Sequence, residues 1–223
     1  MQCRNMAKEK KEKKKNSKLK KIKNLATPKK IALLMALISL VSFLYKIGLG
    51  IISNSIILII ASLSTAVVCA CKFIFWKDMN ADRKAKKKSY FIMMILALSF
   101  AVLFLLFAVL KVGGIDTSSK NNFKGIVGYI FIAFVILMFV LSIINLRGAL
   151  TKSDIMVIGI KEMIFVSALA DAVIIQEFLY KVIPYYRDLP FMKIVNSYFP
   201  LIIAVAMIMV PIYMFKRLRQ YEA

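Results

Sequence analysis

The chain has 223 residues, 61% of them hydrophobic, and a formal net charge of +22. Its apolar residues come in blocks of about 15–26, long enough to cross a ~30 Å hydrocarbon core, which sets it apart from soluble domains with about 45–50% apolar usage. Histidine is absent, so the commonest acid–base group and metal ligand is missing. The spacing of Cys69 and Cys71 fits neither a C-x-x-C redox motif nor a zinc site.

Residues 1–30 hold 13 Lys/Arg against Glu9 and Glu12. Such a self-repelling, low-complexity stretch reads as a disordered basic tail. No A-x-A-like cleavage site follows the first apolar block, so an uncleaved first span is expected. Thr27-Pro28 suits its start, with Thr as N-cap and Pro at the first helical position. The spans are expected at about 31–47, 51–75, 90–110, 126–146, 155–180 and 198–215. The fold class is therefore an all-α integral membrane protein: six transmembrane helices in residues 31–215, preceded by the disordered tail and followed by a short C-terminal tail, 216–223.

Between these spans, Lys46 is placed at the outer interface, where a long side chain can snorkel, and Gly48 and Gly50 are expected to turn the chain. The basic connection WKDMNADRKAKKKS joins spans two and three. The polar loop 111–125 has a turn signal at Gly113-Gly114. Ser153 is a candidate N-cap for the fifth span, or Thr151 and Asp154 a capping-box pair. Pro184 and Pro190 break the last connection; Pro200 falls at the start of the sixth span, and Pro211 inside it predicts a kink. Cytoplasmic segments hold 25 Lys/Arg and external loops 7 when the N-terminus is inside, so both termini are expected in the cytoplasm.

The stretch Asp154–Lys181 differs from every other apolar block because it carries acids. Ionisable groups in hydrocarbon are costly and mark a candidate functional site, here Asp171, Glu162, Lys161 and Glu177. At 100° per residue these charges spiral around the helix, which favours a helix surrounded by neighbours over a one-sided polar stripe. Glu177 and Lys181 stand in a favourable i,i+4 order. Asp171 is nearest the midplane. With no Lys or Arg assigned to its depth, it is expected to be neutral at pH 7. Partners matched by depth alone are Ser62, Ser64, Thr65 and Ser99 for Asp171, and Ser142 and Asn145 for Lys161 and Glu162. Gly159 is a weak signal for a break in this helix.

Small residues recur at helical spacing: Ala32, Ala36 and Ser39; Ser55, Ser62 and Cys69; Ala97, Ala101 and Ala108. They read as close helix packing, with a homo-oligomer seam as the alternative. Lys13, Lys14, Lys15, Lys20, Lys21, Lys86, Lys87 and Lys88 are candidates for contact with anionic headgroups. A nucleic-acid platform needs aromatics among its charges, and residues 1–30 contain none. No catalytic constellation, phosphate loop, cofactor or metal site is read from the chain. The Ala32-x-x-x-Ala36 pattern within six helices resembles the substrate-binding subunits of energy-coupling-factor transporters, as do many unrelated chains, and it implies no site residues. The expected function is passage of a small solute or ion, or service as a transporter's membrane subunit, with the fifth helix lining the path. The alternative is a non-transporting scaffold recruited through its basic surfaces. Lysine-, isoleucine- and asparagine-rich usage points to an AT-rich, bacterial source and its cell membrane.

Overall fold

The computed structural model describes residues 28–114, 126–149, 154–182 and 189–222. These form six helices: α1 (Pro28–Ile52), α2 (Ile56–Asp78), α3 (Arg83–Val112), α4 (Ile126–Ala149), α5 (Ile155–Val182) and α6 (Pro190–Glu222). Among the described residues there are no strands, so the class is all-α as expected. By length and composition α1, α2, α3 and α6 can each cross a membrane. The expectations for the basic tail, the middle of the 111–125 loop, Thr151, Ser153 and Pro184 lie outside the described residues.

Most helices overrun the apolar blocks that announced them. Helix α1 runs straight through Gly48 and Gly50 to Ile52. The turn that follows is instead made by Ser53-Asn54-Ser55, with Asn54 at φ 48°, a left-handed conformation that Asn tolerates through its short polar side chain. Gly50 has a different task. A Cβ there would meet Ile59 Cγ1 at 2.9 Å and the Ile59 backbone nitrogen at 3.1 Å, so its bare backbone lets α1 close on α2. Helix α3 starts at Arg83 rather than near Tyr90, because Asp82 accepts the Ala85 N–H at 3.1 Å as an N-cap. Asp154 caps α5, accepting the Met156 N–H at 2.9 Å. Helix α6 begins at Pro190, encloses both Pro200 and Pro211, and continues as helix to Glu222. At the end of α3, Gly113-Gly114 does turn the chain, with Gly114 at φ 89°.

Cross-helix contacts set the directions. Lys29 lies 5.7 Å over the Trp76 ring and Cys69 Sγ meets the Ala36 carbonyl at 3.4 Å, so α1 and α2 form an antiparallel hairpin. The small-residue stripe is its seam: Ala32, Ala36, Ser39, Ser62 and Cys69 are all buried, as close backbone packing requires. The Arg83 guanidinium donates to the Tyr221 carbonyl at 2.6 Å, which runs α6 against α3. Lys86 at the start of α3 reaches Asp154 before α5 at 2.9 Å, so α3 and α5 run the same way.

Helix α5 is central. It packs against α2, α3, α4 and α6, while α1 rests mainly on α2 and α4 on α5. None of residues 155–181 is exposed. Exposed large apolar side chains, such as Leu34, Val41, Leu106, Ile144 and Ile202, lie on the other helices. One apolar cluster, including Leu58, Phe104, Val173 and Met207, packs toward the α1–α2 turn. A second, with Cys71, Tyr90, Met156 and Met214, packs at the opposite end.

Candidate functional site

Burying α5 on all sides brings its three acids into the interior: Glu162 is 4%, Asp171 8% and Glu177 6% exposed. A buried carboxylate is tolerated only when paired and hydrogen-bonded. Glu162 and Asp171 point roughly 180° apart and Asp171 and Glu177 roughly 120° apart at 3.6 residues per turn, so each acid faces a different neighbour. Each finds a cation there.

Glu162 accepts from Arg217 of α6 through Oε1 and from the Tyr90 hydroxyl of α3 through Oε2 at 2.9 Å. Both carboxylate oxygens are thus held, one by each flanking helix. Glu177 is bound by Lys111 of α3 and, at 3.8 Å, by Lys181 one turn along α5, the i,i+4 pair that the sequence predicts.

Between these two, Lys46 Nζ donates to both oxygens of Asp171, at 2.7 and 3.0 Å. This corrects two expectations. Lys46 does not snorkel outward; it is buried, at 8% exposure. The ground for a neutral Asp171, the absence of a cation at its depth, also falls. The physical reason is side-chain direction. Lys46 stands ~9 Å beyond the middle of α1 and Asp171 only ~4 Å beyond the middle of α5 at 1.5 Å per residue. A helical side chain slants toward its own N-terminus, which lowers a long lysine to the level of the acid.

The partners chosen by depth are mostly engaged elsewhere. Ser62 donates to the Ile59 carbonyl at 2.6 Å, Thr65 to Ala61 at 3.3 Å and Ser142 to Phe139 at 2.7 Å, each within its own helix. Ser99 is exposed, and the Asn145 side chain lies outside what is described. Ser64 does reach α5, but at Ser167, with the two hydroxyls 2.9 Å apart. Lys161 is half-buried, close enough to Lys72 of α2 for their charges to interact.

Gly159 does not break α5, which is continuous. A Cβ there would lie 2.8 Å from Tyr90 Cδ2 and 3.0 Å from Cε2, so this glycine admits the ring whose hydroxyl holds Glu162. Sequence reasoning missed Lys46, Lys111, Arg217 and Tyr90 because each sits at or beyond the end of an apolar block. Extending every helix by a turn or two, and asking which flanking cation can slant inward, would have found them.

At the other end of the molecule, Lys86 is tied to Asp154, and Lys87 and Lys88 line a cleft between α3 and α6. Lys13, Lys14, Lys15, Lys20 and Lys21 lie outside the described residues. Among the described residues no cluster of Cys, Asp and Glu is arranged to hold a metal. No family model, curated protein or solved structure matches this chain. What the site can do is therefore read from its chemistry: three acid–cation pairs fasten one enclosed helix to α1, α3 and α6.

Proposed function

We propose that this chain is a multi-pass membrane protein of the cell membrane, with six crossing helices and cytoplasmic termini. In this reading it moves a small cation or proton-coupled solute, or serves as the membrane subunit of a transporter. The carrying observation is the Lys46–Asp171 pair. It joins α5 to α1, a helix that otherwise rests mainly on α2. A buried pair of this kind costs desolvation energy that an apolar pair does not, and intramembrane ionisable residues are concentrated on ion and proton pathways. A proton or cation arriving at Asp171 takes the place of the Lys46 ammonium. That loosens α1 from α5 and opens a route beside α5. The exposed apolar residues of α1, α3, α4 and α6 suit contact with lipid.

A flux screen in proteoliposomes with monovalent cations and imposed pH gradients tests this reading, comparing the native chain with Asp171→Asn. Asn keeps shape and hydrogen bonding but neither titrates nor holds a full charge. Flux that depends on pH in the native chain and loses that dependence in the variant supports coupling at Asp171. Flux indifferent to the variant across pH 5–8 ends the coupling role.

The enclosure of α5, of which no residue from 155 to 181 is exposed, and the pairing of each of its acids favour a second reading: a rigid scaffold recruited through its basic surfaces. Hydration separates the two. A cysteine at Ala168 that reacts with a water-soluble thiol reagent in membranes marks an aqueous path, and one that stays inert supports the scaffold.

A further inference from the structure

The start of α3 and the end of α6 flank an open cleft of about 750 Å³ lined by Lys84, Lys87, Lys88, Phe91, Phe215, Leu218 and Arg219. Four cations and three apolar residues line it, with no carboxylate among them. Other basic residues of the same two segments turn elsewhere: Lys86 to Asp154, Arg83 to the Tyr221 carbonyl and Arg217 to Glu162.

The cleft is also graded. On α3 the residues 84, 87, 88 and 91 follow the i, i+3, i+4, i+7 spacing of one helix face, as 215, 218 and 219 follow i, i+3, i+4 on α6. Because the two helices are antiparallel, with Arg83 beside Tyr221, the Lys84 and Arg219 positions lie toward one end of the cleft. The Phe91 and Phe215 positions lie toward the other, and both rings are exposed. Arg219 closes over the Phe215 ring at 4.7 Å, a cation–π contact where the charged and apolar halves join.

We propose that this cleft is a stoichiometric binding site for an anionic phospholipid. The headgroup phosphate sits between Lys84, Lys88 and Arg219, and an acyl chain lies over Phe91 and Phe215. A soluble anion needs only the charged end; the apolar end, exposed and continuous with it, fits a ligand that is anionic at one end and hydrocarbon at the other. Juxtamembrane cations draw anionic lipid by charge alone, and an open cleft with a charged and an apolar end adds selectivity to that attraction. The inference rests on the membrane reading, and a chain that stays in solution without detergent or lipid would refute that reading first.

The test uses full-length protein in detergent, with bound lipid counted by native mass spectrometry during titration with phosphatidylglycerol or phosphatidylcholine. One phosphatidylglycerol should bind preferentially. The variant Lys84→Gln/Lys88→Gln/Arg219→Gln should weaken that binding by about tenfold or more, given the contribution of each nearby cation. The charge-matched control Lys30→Gln/Lys77→Gln/Lys216→Gln removes exposed basic residues outside the cleft and should leave binding unchanged. Equal losses in the two variants would reduce the effect to bulk electrostatics and overturn the site. Displacement of the lipid by inorganic phosphate at matching concentration, a readout needing no variant, would assign the cleft to a soluble anion and overturn the lipid.

Discussion

Lys46 Nζ lies 2.7 Å from Asp171 Oδ1, and this contact connects the first helix to the fifth across 125 positions of sequence. Both residues are more than nine-tenths buried, so neither charge can be removed without exposing the other to an apolar interior. Breaking such a pair costs about 3–5 kcal/mol, whereas replacing both members by apolar residues is often neutral. We expect Lys46→Met and Asp171→Leu each to lower the unfolding midpoint strongly in detergent. The double variant should recover most of the loss. A double variant as unstable as the sum of the singles would mean that the two charges do not act on each other.

Tyr90 and Arg217 hold opposite oxygens of Glu162. A hydrogen bond to a charged group contributes about 1.5–3 kcal/mol, so Tyr90→Phe should destabilise the fold by roughly that amount. Arg217→Met should cost more, because it leaves the buried carboxylate without its counter-charge. Thermal unfolding of the two variants in the same detergent orders them. Equal effects would show that the Arg217 contact carries no charge-specific stabilisation.

Two glycines of α1 should respond oppositely to alanine. Gly48 has open space where a Cβ would go, whereas Gly50 meets Ile59 at 2.9 Å and its backbone at 3.1 Å. Gly48→Ala should stabilise by up to ~1 kcal/mol through helix propensity. Gly50→Ala should destabilise, because α1 and α2 must separate to admit the methyl group. The comparison is made by unfolding the single variants side by side. Stabilisation by both would remove the close approach at Gly50 as a constraint.

The proposed topology places residue 118 outside and residue 85 inside. A reporter active only in the periplasm should be active when fused after residue 118 and silent after residue 85. The reverse pattern would invert every helix and put the α3–α6 cleft on the outer face.

The sequence by itself determined an all-α class with six helices and singled out residues 154–181 as its organising segment. Block length and apolar content are local properties, legible without a partner. The spiral of Glu162, Asp171 and Glu177 likewise implied a helix with neighbours on several sides, and α5 has them. Tertiary structure decided which neighbour meets which acid. Depth along the chain places a Cα, but a lysine's charge sits several ångströms away along a slant set by helix direction, and which side faces which helix is fixed only by packing. For that reason Lys46, assigned to an interface by its position, ended against Asp171, while Ser62 and Thr65, at suitable depth, bonded to their own backbone. Gly159 and Gly50 follow the same logic: each is a single residue in sequence, and only the side chain arriving from the neighbouring helix, Tyr90 or Ile59, gives it a purpose.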